Sequence, residues 1–474
     1  MTNYNYYSFC PELWNQFEIE ANGDYKICCL ANNDETGGYG MIRDENGNVM
    51  NAGTHTAQEA LNSPSMRNHR LQLSRNERPT LCRNCYDVED ATYGNSINYT
   101  QEVDWDIGKY AVSKRMGDIG KSLPKSPFYA DGLYVTPKIA EKITDPITGE
   151  SKSKIVTLHL RFSNLCNMKC VHCAPHSSTL WYEDWDDLLR ASKKSGKNVS
   201  NYFGTNQFQS KKDEHNRTTF ETYDNKIWWK TDIWKKSWEY IAPTLRFLYV
   251  TGGEPLISPG LPEHLDHLIQ NNFAKNVTIR FDTNLSVINP KLFQKLIKFK
   301  RVEFNISIDD VGDRYEVFRF PGKFNRLIEN IKILKKLSQE HKNFIVGNLT
   351  SCIGILTVYA IPRVSEFAEI MGCNARFRFV EFPQWLDLRV LKIETKLQII
   401  DKLKEYKKNN ISNNCNLWLD RQINFLKKYL NETYTDKNHI ISLLNIMEIL
   451  DKKRNTDWKK IYPEILPIIE NELI

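Results

Sequence analysis

The sequence has no apolar run approaching about 18 residues, the length a membrane-spanning helix needs. Its first residues, MTNYNYYSFCPELW, show no basic stretch followed by an apolar core. No secretory leader is therefore expected, and the chain reads as cytoplasmic. Charge of one sign is also scarce. The formal net charge is +6 over 474 residues, which permits an anionic partner but lacks the concentrated basic stripe of a nucleic-acid binder. Cysteine, by contrast, is plentiful. Eleven cysteines in a cytoplasmic chain point to metal or redox chemistry rather than disulfides. The length predicts two or three domains, and a 41% hydrophobic content is enough for their cores.

The most informative stretch is RFSNLCNMKCVHC, Arg161 to Cys173. It follows an alternating apolar run, IVTLHLRF, and spaces Cys166, Cys170 and Cys173 as C-x3-C-x2-C. Three thiolates so spaced can hold three corners of a cubane iron–sulfur cluster and leave one iron open for a further ligand. The alternative is zinc, but a closed zinc site needs a fourth ligand. His172, adjacent to Cys173, is poorly placed to supply it.

The first hundred residues hold a second set: Cys10, Cys28, Cys29, Cys82 and Cys85. QFEIEANGDYKICCL reads as strand, Asn22-Gly23 turn, strand. A hairpin brings its ends together, so Cys10 and Cys28 face one metal. A helix over 57–75, interrupted near Pro64, leads to the Cys82-x2-Cys85 knuckle. Four thiols in two pairs make a closed site, and spacing alone leaves zinc and iron–sulfur equally open. Cys29 points to the opposite face of its strand from Cys28 and is expected to be a small buried apolar residue.

Residues 101–150 read as a linker. From about 155 strands and helices alternate, which predicts an α/β domain with parallel strands at 155–162, 246–251, 277–282, 302–308, 344–358 and 375–381. Active-site residues of such domains gather at the C-terminal strand ends. Cys166 to Cys173 follow the first strand. Gly252-Gly253-Glu254-Pro255 follows the second, and its glycines let the backbone approach a ligand closely. About 70 residues near 176–245 form an insert containing Trp228, Trp229, Trp234 and Trp238. Trp234 and Trp238, at i and i+4, share a helix face and are expected to pack on the barrel; a substrate lid is the sharper reading. Cys352 and Cys373 are expected to be inert. Residues 386–474 are helical by period, with no legible chemistry.

C-x3-C-x2-C with a later Gly-Gly-Glu-Pro after a strand resembles the radical S-adenosylmethionine superfamily. C-x12-G-x4-C (Cys10, Gly23, Cys28), a helix and C-x2-C resemble the twitch domain, the short form of SPASM, here ahead of the barrel rather than after it. The resemblance implies a partial (β/α)6 TIM-like barrel over 151–385, an auxiliary iron–sulfur domain over 1–100 and a helical tail. It implies a catalytic [4Fe-4S] cluster on Cys166, Cys170 and Cys173, and an auxiliary one on Cys10, Cys28, Cys82 and Cys85. It places S-adenosylmethionine against Gly252, Gly253, Glu254 and Pro255, with Ser307 and Asp309 near its ribose or carboxylate and Arg319 on its carboxylate. A serine and an aspartate at a strand end are equally helix caps. Thr283 and Asn284 resemble a family pair and equally suit a turn. The implied activity is reductive cleavage of S-adenosylmethionine to a 5′-deoxyadenosyl radical and hydrogen abstraction from a peptide or protein, fed by a flavodoxin or ferredoxin. The other readings are a carbohydrate-type dehydrogenase, an RNA-acting radical enzyme and, outside enzymes, a zinc-containing nucleic-acid-binding protein.

Overall fold

The computed structural model describes residues 8–473 apart from 30, 32–39, 84, 87–134, 196–209, 216, 224–225, 409–411 and 431–436. Most of the expected linker, 101–134, lies outside the described residues; 137–143 form a short helix started by Thr136, whose side chain accepts from Ile139 N.

Ten strands are present among the described residues: β1 (Gln16–Ile19), β2 (Tyr25–Lys26), β3 (Thr157–Leu160), β4 (Ser210–Lys212), β5 (Thr218–Phe220), β6 (Phe247–Val250), β7 (Thr278–Thr283), β8 (Arg301–Ser307), β9 (Phe344–Ile353) and β10 (Asn374–Phe379). Eight form one sheet in the order β10-β9-β8-β7-β6-β3-β1-β2. The pairings from β3 through β10 are all parallel. Helices such as Leu261–Gln270, Pro290–Leu296, Phe324–Glu340 and Ala360–Ile370 connect consecutive strands, the arrangement of a partial (β/α)6 barrel. β9 ends at Ile353, five residues short of the expected 358. Gly354 follows, and a Cβ there would lie 2.6 Å from Leu386 O, so the chain turns against the tail instead of extending.

The pleat sorts side chains by face. Along β8, Val302, Phe304 and Ile306 are buried beneath the helices, while Glu303, Asn305 and Ser307 take the other face. Asn305 meets the next strand there, donating to Asp282 Oδ1 at 2.8 Å.

The N-terminal hairpin is joined to this sheet directly. β1 pairs in parallel with β3, Gln16 opposite Thr157 and Ile19 opposite Leu160, and Asn15 Nδ2 donates to Lys154 O at 2.8 Å. Gly23, at φ +94°, makes the turn to β2. The expected 57–75 helix is two helices, Ala57–Leu61 and Pro64–Ser74, because Ser63 caps the second and Pro64 occupies its first turn. Fully buried Arg70 fixes the unit by donating to the carbonyls of Leu13, Leu61 and Gly149.

In the insert, Trp228, Trp229, Trp234 and Trp238 are all buried. Trp234 Nε1 donates to His264 Nε2 at 2.7 Å, so the helix Asp232–Ile241 packs on Leu261–Gln270. Each such ring contributes roughly 2–3 kcal/mol of burial. The tail helices lie at the β10 end: Phe425 stacks on Phe379 at 4.2 Å and Trp418 meets Phe377 edge-on.

Candidate active site

The three-cysteine loop leaves β3 and is held by its neighbours' backbones. Lys169 N donates to Phe320 O at 2.7 Å and Val171 N to Phe318 O at 2.8 Å. Trp181 Nε1 donates to Cys170 O at 3.0 Å, and Cys173 N turns back to Cys170 O at 2.9 Å. Cys166 and Cys170 are buried and Cys173 is half-buried. The Cys170 and Cys173 thiols hydrogen-bond each other, which lowers the Cys170 pKa and raises that of Cys173. Burial, then the neighbouring Cys170, pushes Cys166 up to about 12. A bound metal is what would hold such a thiol as thiolate, with release of its proton.

The loop after β6 packs directly on the cysteine loop. Gly253 N donates to Ser163 O at 3.1 Å and Glu254 N to Leu165 O at 2.8 Å. A Cβ on Gly253 would sit 2.0 Å from Leu165 O, and one on Gly252 (φ +124°) 2.9 Å from Ser163 O. The close approach that these glycines allow is thus, first, to another loop of the same chain. Glu254 is buried and accepts from Thr283 Oγ1 at 2.5 Å, Asn284 N at 2.8 Å and Leu256 N at 3.1 Å. Burial raises its pKa against the opposing pull of these donors. It therefore ties the end of β7 to the end of β6. Pro255 is buried at the start of a short turn of helix.

Two polar groups reach the thiols from other strand ends. Asn284 Nδ2 lies 4.0 Å from Cys166 Sγ and donates to Asn167 Oδ1 at 3.0 Å. Arg319 Nη1 donates to Cys170 Sγ at 3.8 Å. Arg319 also pairs with Asp309, Nε to Oδ2 at 2.8 Å, and both are buried. Burial opposes the Arg319 charge, but Asp309 and Cys170 outweigh it and hold its pKa above the ordinary arginine value. Asp309 adopts φ +63°, an uncommon conformation for a non-glycine residue, and its Oδ1 fixes Cys352 N at 2.8 Å. Ser307 ends β8 on the same face as Asn305. The predicted residues from β3, β6 and β8 are thus brought to one end of the sheet. Asn284, read from sequence as a turn or a family pair, stands against a cysteine.

Cys10, Cys28, Cys82 and Cys85 come together although three segments supply them. Burial raises the thiol pKa values of Cys10 and Cys28, and both also feel the charges of Cys82 and Cys85. Glu12, beside Cys10, is pushed up to about 8 by burial. Cys29 is exposed, not buried as expected, and faces Glu18, Lys26 and Arg378. β2 ends at Lys26 and Cys29 lies in a turn, so strand alternation does not set its face.

Among the described residues no three His, Cys, Asp or Glu side chains are arranged to hold a single metal ion. A cubane is wider than an ion and spreads its thiolates over its corners. Three thiols met by a guanidinium and an amide, and four mutually repelling thiols of which three are half-buried and one buried, are donor sets that fit such clusters.

Residues 160–350 match the Radical SAM superfamily, and residues 10–86 match SPASM, an iron-sulfur cluster-binding domain. The chain carries a radical SAM domain. Its SPASM domain precedes the barrel, and its cofactors are accordingly [4Fe-4S] clusters and S-adenosylmethionine. Solved structures that the chain matches include native anSMEcpe with bound AdoMet (16% identity, 54% of this chain and 63% of that one, TM-score 0.31). Streptococcus suis SuiB is another (11% identity, 84% and 69%, TM-score 0.31). A third is TYW1 with a lysine-pyruvate adduct (14% identity, 51% and 70%, TM-score 0.25). The match spans less than two thirds of the anSMEcpe chain. No curated protein matches this chain. None of its helices, among the described residues, is long and apolar enough to cross a membrane.

Proposed function

We propose that Cys166, Cys170 and Cys173 hold the catalytic cluster, that Cys10, Cys28, Cys82 and Cys85 hold the auxiliary one, and that the substrate is a peptide or protein side chain. When bound, the catalytic cluster and S-adenosylmethionine supply a 5′-deoxyadenosyl radical. Gly252, Gly253, Glu254 and Pro255 bind the nucleoside's methionine part. Ser307 and Asp309 border its ribose or carboxylate, and Arg319, with a fork suited to a carboxylate, orients it. The observation that carries this reading is the convergence of Asn284 and Arg319, from two different strand ends, on Cys166 and Cys170. Buried hydrogen bonds to thiolate sulfur stabilise the charge of a cluster. Asp309 keeps Arg319 ionised and aimed.

The peptide reading follows from the pairing of the two domains, since a second cluster offers an acceptor for the electron left on an oxidised side chain. A flavodoxin or ferredoxin would reduce the catalytic cluster. The test is anaerobic reconstitution followed by chromatography of 5′-deoxyadenosine, with and without candidate peptides. Formation under reducing conditions, increased by a peptide that gains or loses mass, is expected. No 5′-deoxyadenosine from a fully loaded chain would overturn the assignment. Turnover of a sugar alcohol instead of any peptide would overturn the substrate class.

A further inference from the structure

The tail, which shows no chemistry in its sequence, sends one buried cation to the cysteine loop. Arg454 ends the helix Lys437–Arg454, and its side chain is 1% exposed. Nη2 and Nε donate to Asp184 Oδ2 at 2.9 and 3.2 Å. Asp184 is fully buried and also accepts from Lys169 Nζ at 2.7 Å, with Lys453 Nζ at 3.6 Å. Lys453 pairs in addition with Asp187 at the surface. The Arg454 guanidinium sits between two rings, 5.1 Å from Trp181 and 5.4 Å from Phe320. These are the residues that hold Cys170 O and Lys169 N. Its Nη1 is buried and makes no hydrogen bond.

Asp184 thus faces the buried Arg454 and the part-buried Lys169, with Lys453 at the edge, and Asp451 adds a second carboxylate's pull on Arg454. An uncompensated cation in a low-dielectric site is costly unless an anion shares it. A candidate is the cysteine set beyond Trp181 and Phe320, the two rings that flank Arg454 and hold Cys170 O and Lys169 N. A cubane with three thiolates is anionic, and more so after reduction. Nearby positive charge favours the reduced form.

We propose that Arg454 is a positioning residue for the cysteine loop and the buried counter-cation that raises the reduction potential of the cluster bound there. The proposal rests on the reading of Cys166, Cys170 and Cys173 as cluster ligands. It gives the C-terminal helices a role in the chemistry: they make reduction of the cluster easier.

The test is a redox titration of the reconstituted full-length chain, followed by the electron paramagnetic resonance of the reduced cluster, in wild type, Arg454→Gln, Arg454→Lys and Asp184→Asn. Arg454→Gln is expected to lower the ratio of reduced to oxidised cluster at a fixed potential about tenfold, about 59 mV for one electron. Arg454→Lys is expected to restore most of it. Asp184→Asn, which leaves the cations unneutralised, is expected to shift the potential the opposite way. A loaded Arg454→Gln cluster with wild-type potential overturns the proposal, as does an Asp184→Asn shift in the same direction as Arg454→Gln. Should Arg454→Gln fail to fold, Asp184→Asn decides: a positive shift supports the proposal, and no shift or a negative one overturns it. A wild-type chain that loads no cluster on these three cysteines overturns the parent reading instead.

Discussion

The two cysteine sets of this chain are built in opposite ways. The three-cysteine loop is local in sequence, spanning only Cys166 to Cys173, yet its surroundings come from far away: Asn284 after β7, Arg319 after β8 and Arg454 from the tail. The four-cysteine set is distant in sequence, spanning Cys10 to Cys85, and is gathered by a hairpin, a split helix and a knuckle. On the proposed reading, three thiols with polar neighbours from other strand ends would leave a corner for a substrate-like ligand, and four thiols would close their own site. Spacing reveals the first kind directly, whereas the second needs the fold to assemble it.

The sharpest way to break this comparison is to remove one thiol from each set. Cys166→Ala is expected to abolish 5′-deoxyadenosine formation and to lower the iron content. Cys28→Ala is expected to lower the iron content as well, yet to leave S-adenosylmethionine cleavage measurable while substrate product is lost. Loss of cleavage in both, in folded protein, would mean that the two sets do not have separate roles.

The second effect concerns how tightly the strand-end loops pack. In Gly253→Ala the new Cβ would meet Leu165 O at 2.0 Å, so the backbone must move. A loss of at least about 2 kcal/mol in denaturant titrations is expected, together with weaker cluster retention. Wild-type stability would show that this loop has room to spare.

A region away from both sets gives a smaller, pH-dependent effect. Burial lowers the His264 pKa from 6.5 to about 4. Between those values the unfolded chain binds a proton that the folded chain refuses, so stability falls as pH drops from 6.5 toward 4. The full difference is about 3 kcal/mol. His264→Phe should flatten this slope in melting curves between pH 7 and 4.5, and an unchanged slope would assign it to other groups. The smallest effect belongs to Cys29. It adjoins Cys28 and acts on that thiol, but its own surroundings are Glu18, Lys26 and Arg378; as a residue outside the proposed four-cysteine set, Cys29→Ala should leave iron content unchanged.

Much of this was legible in the sequence because the parallel strands read as short apolar runs and the cysteine spacings are local. What was not legible is long-range. Nothing near Asn284 says that it will stand beside Cys166, since β7 and β3 are not neighbours in the chain and β6 lies between them in the sheet. The parallel pairing of β1 with β3 joins residues about 140 apart, and no period in either segment reports it. Cys29 was expected on a strand, but β2 stops at Lys26 and Cys29 lies in an exposed turn, where alternation no longer applies. Nothing in the helical period of the tail marks Arg454; the packing of Trp181 and Phe320 around it is what removes it from water.

The most direct measurement is the electron paramagnetic resonance of the reduced, reconstituted Cys28→Ala chain before and after S-adenosylmethionine is added. With the four-cysteine set disabled, the remaining signal should come from Cys166, Cys170 and Cys173, and its shape should change when the nucleoside takes the open corner. A signal of full intensity that the nucleoside leaves untouched would contradict the account, because it would mean that no corner of that cluster is free.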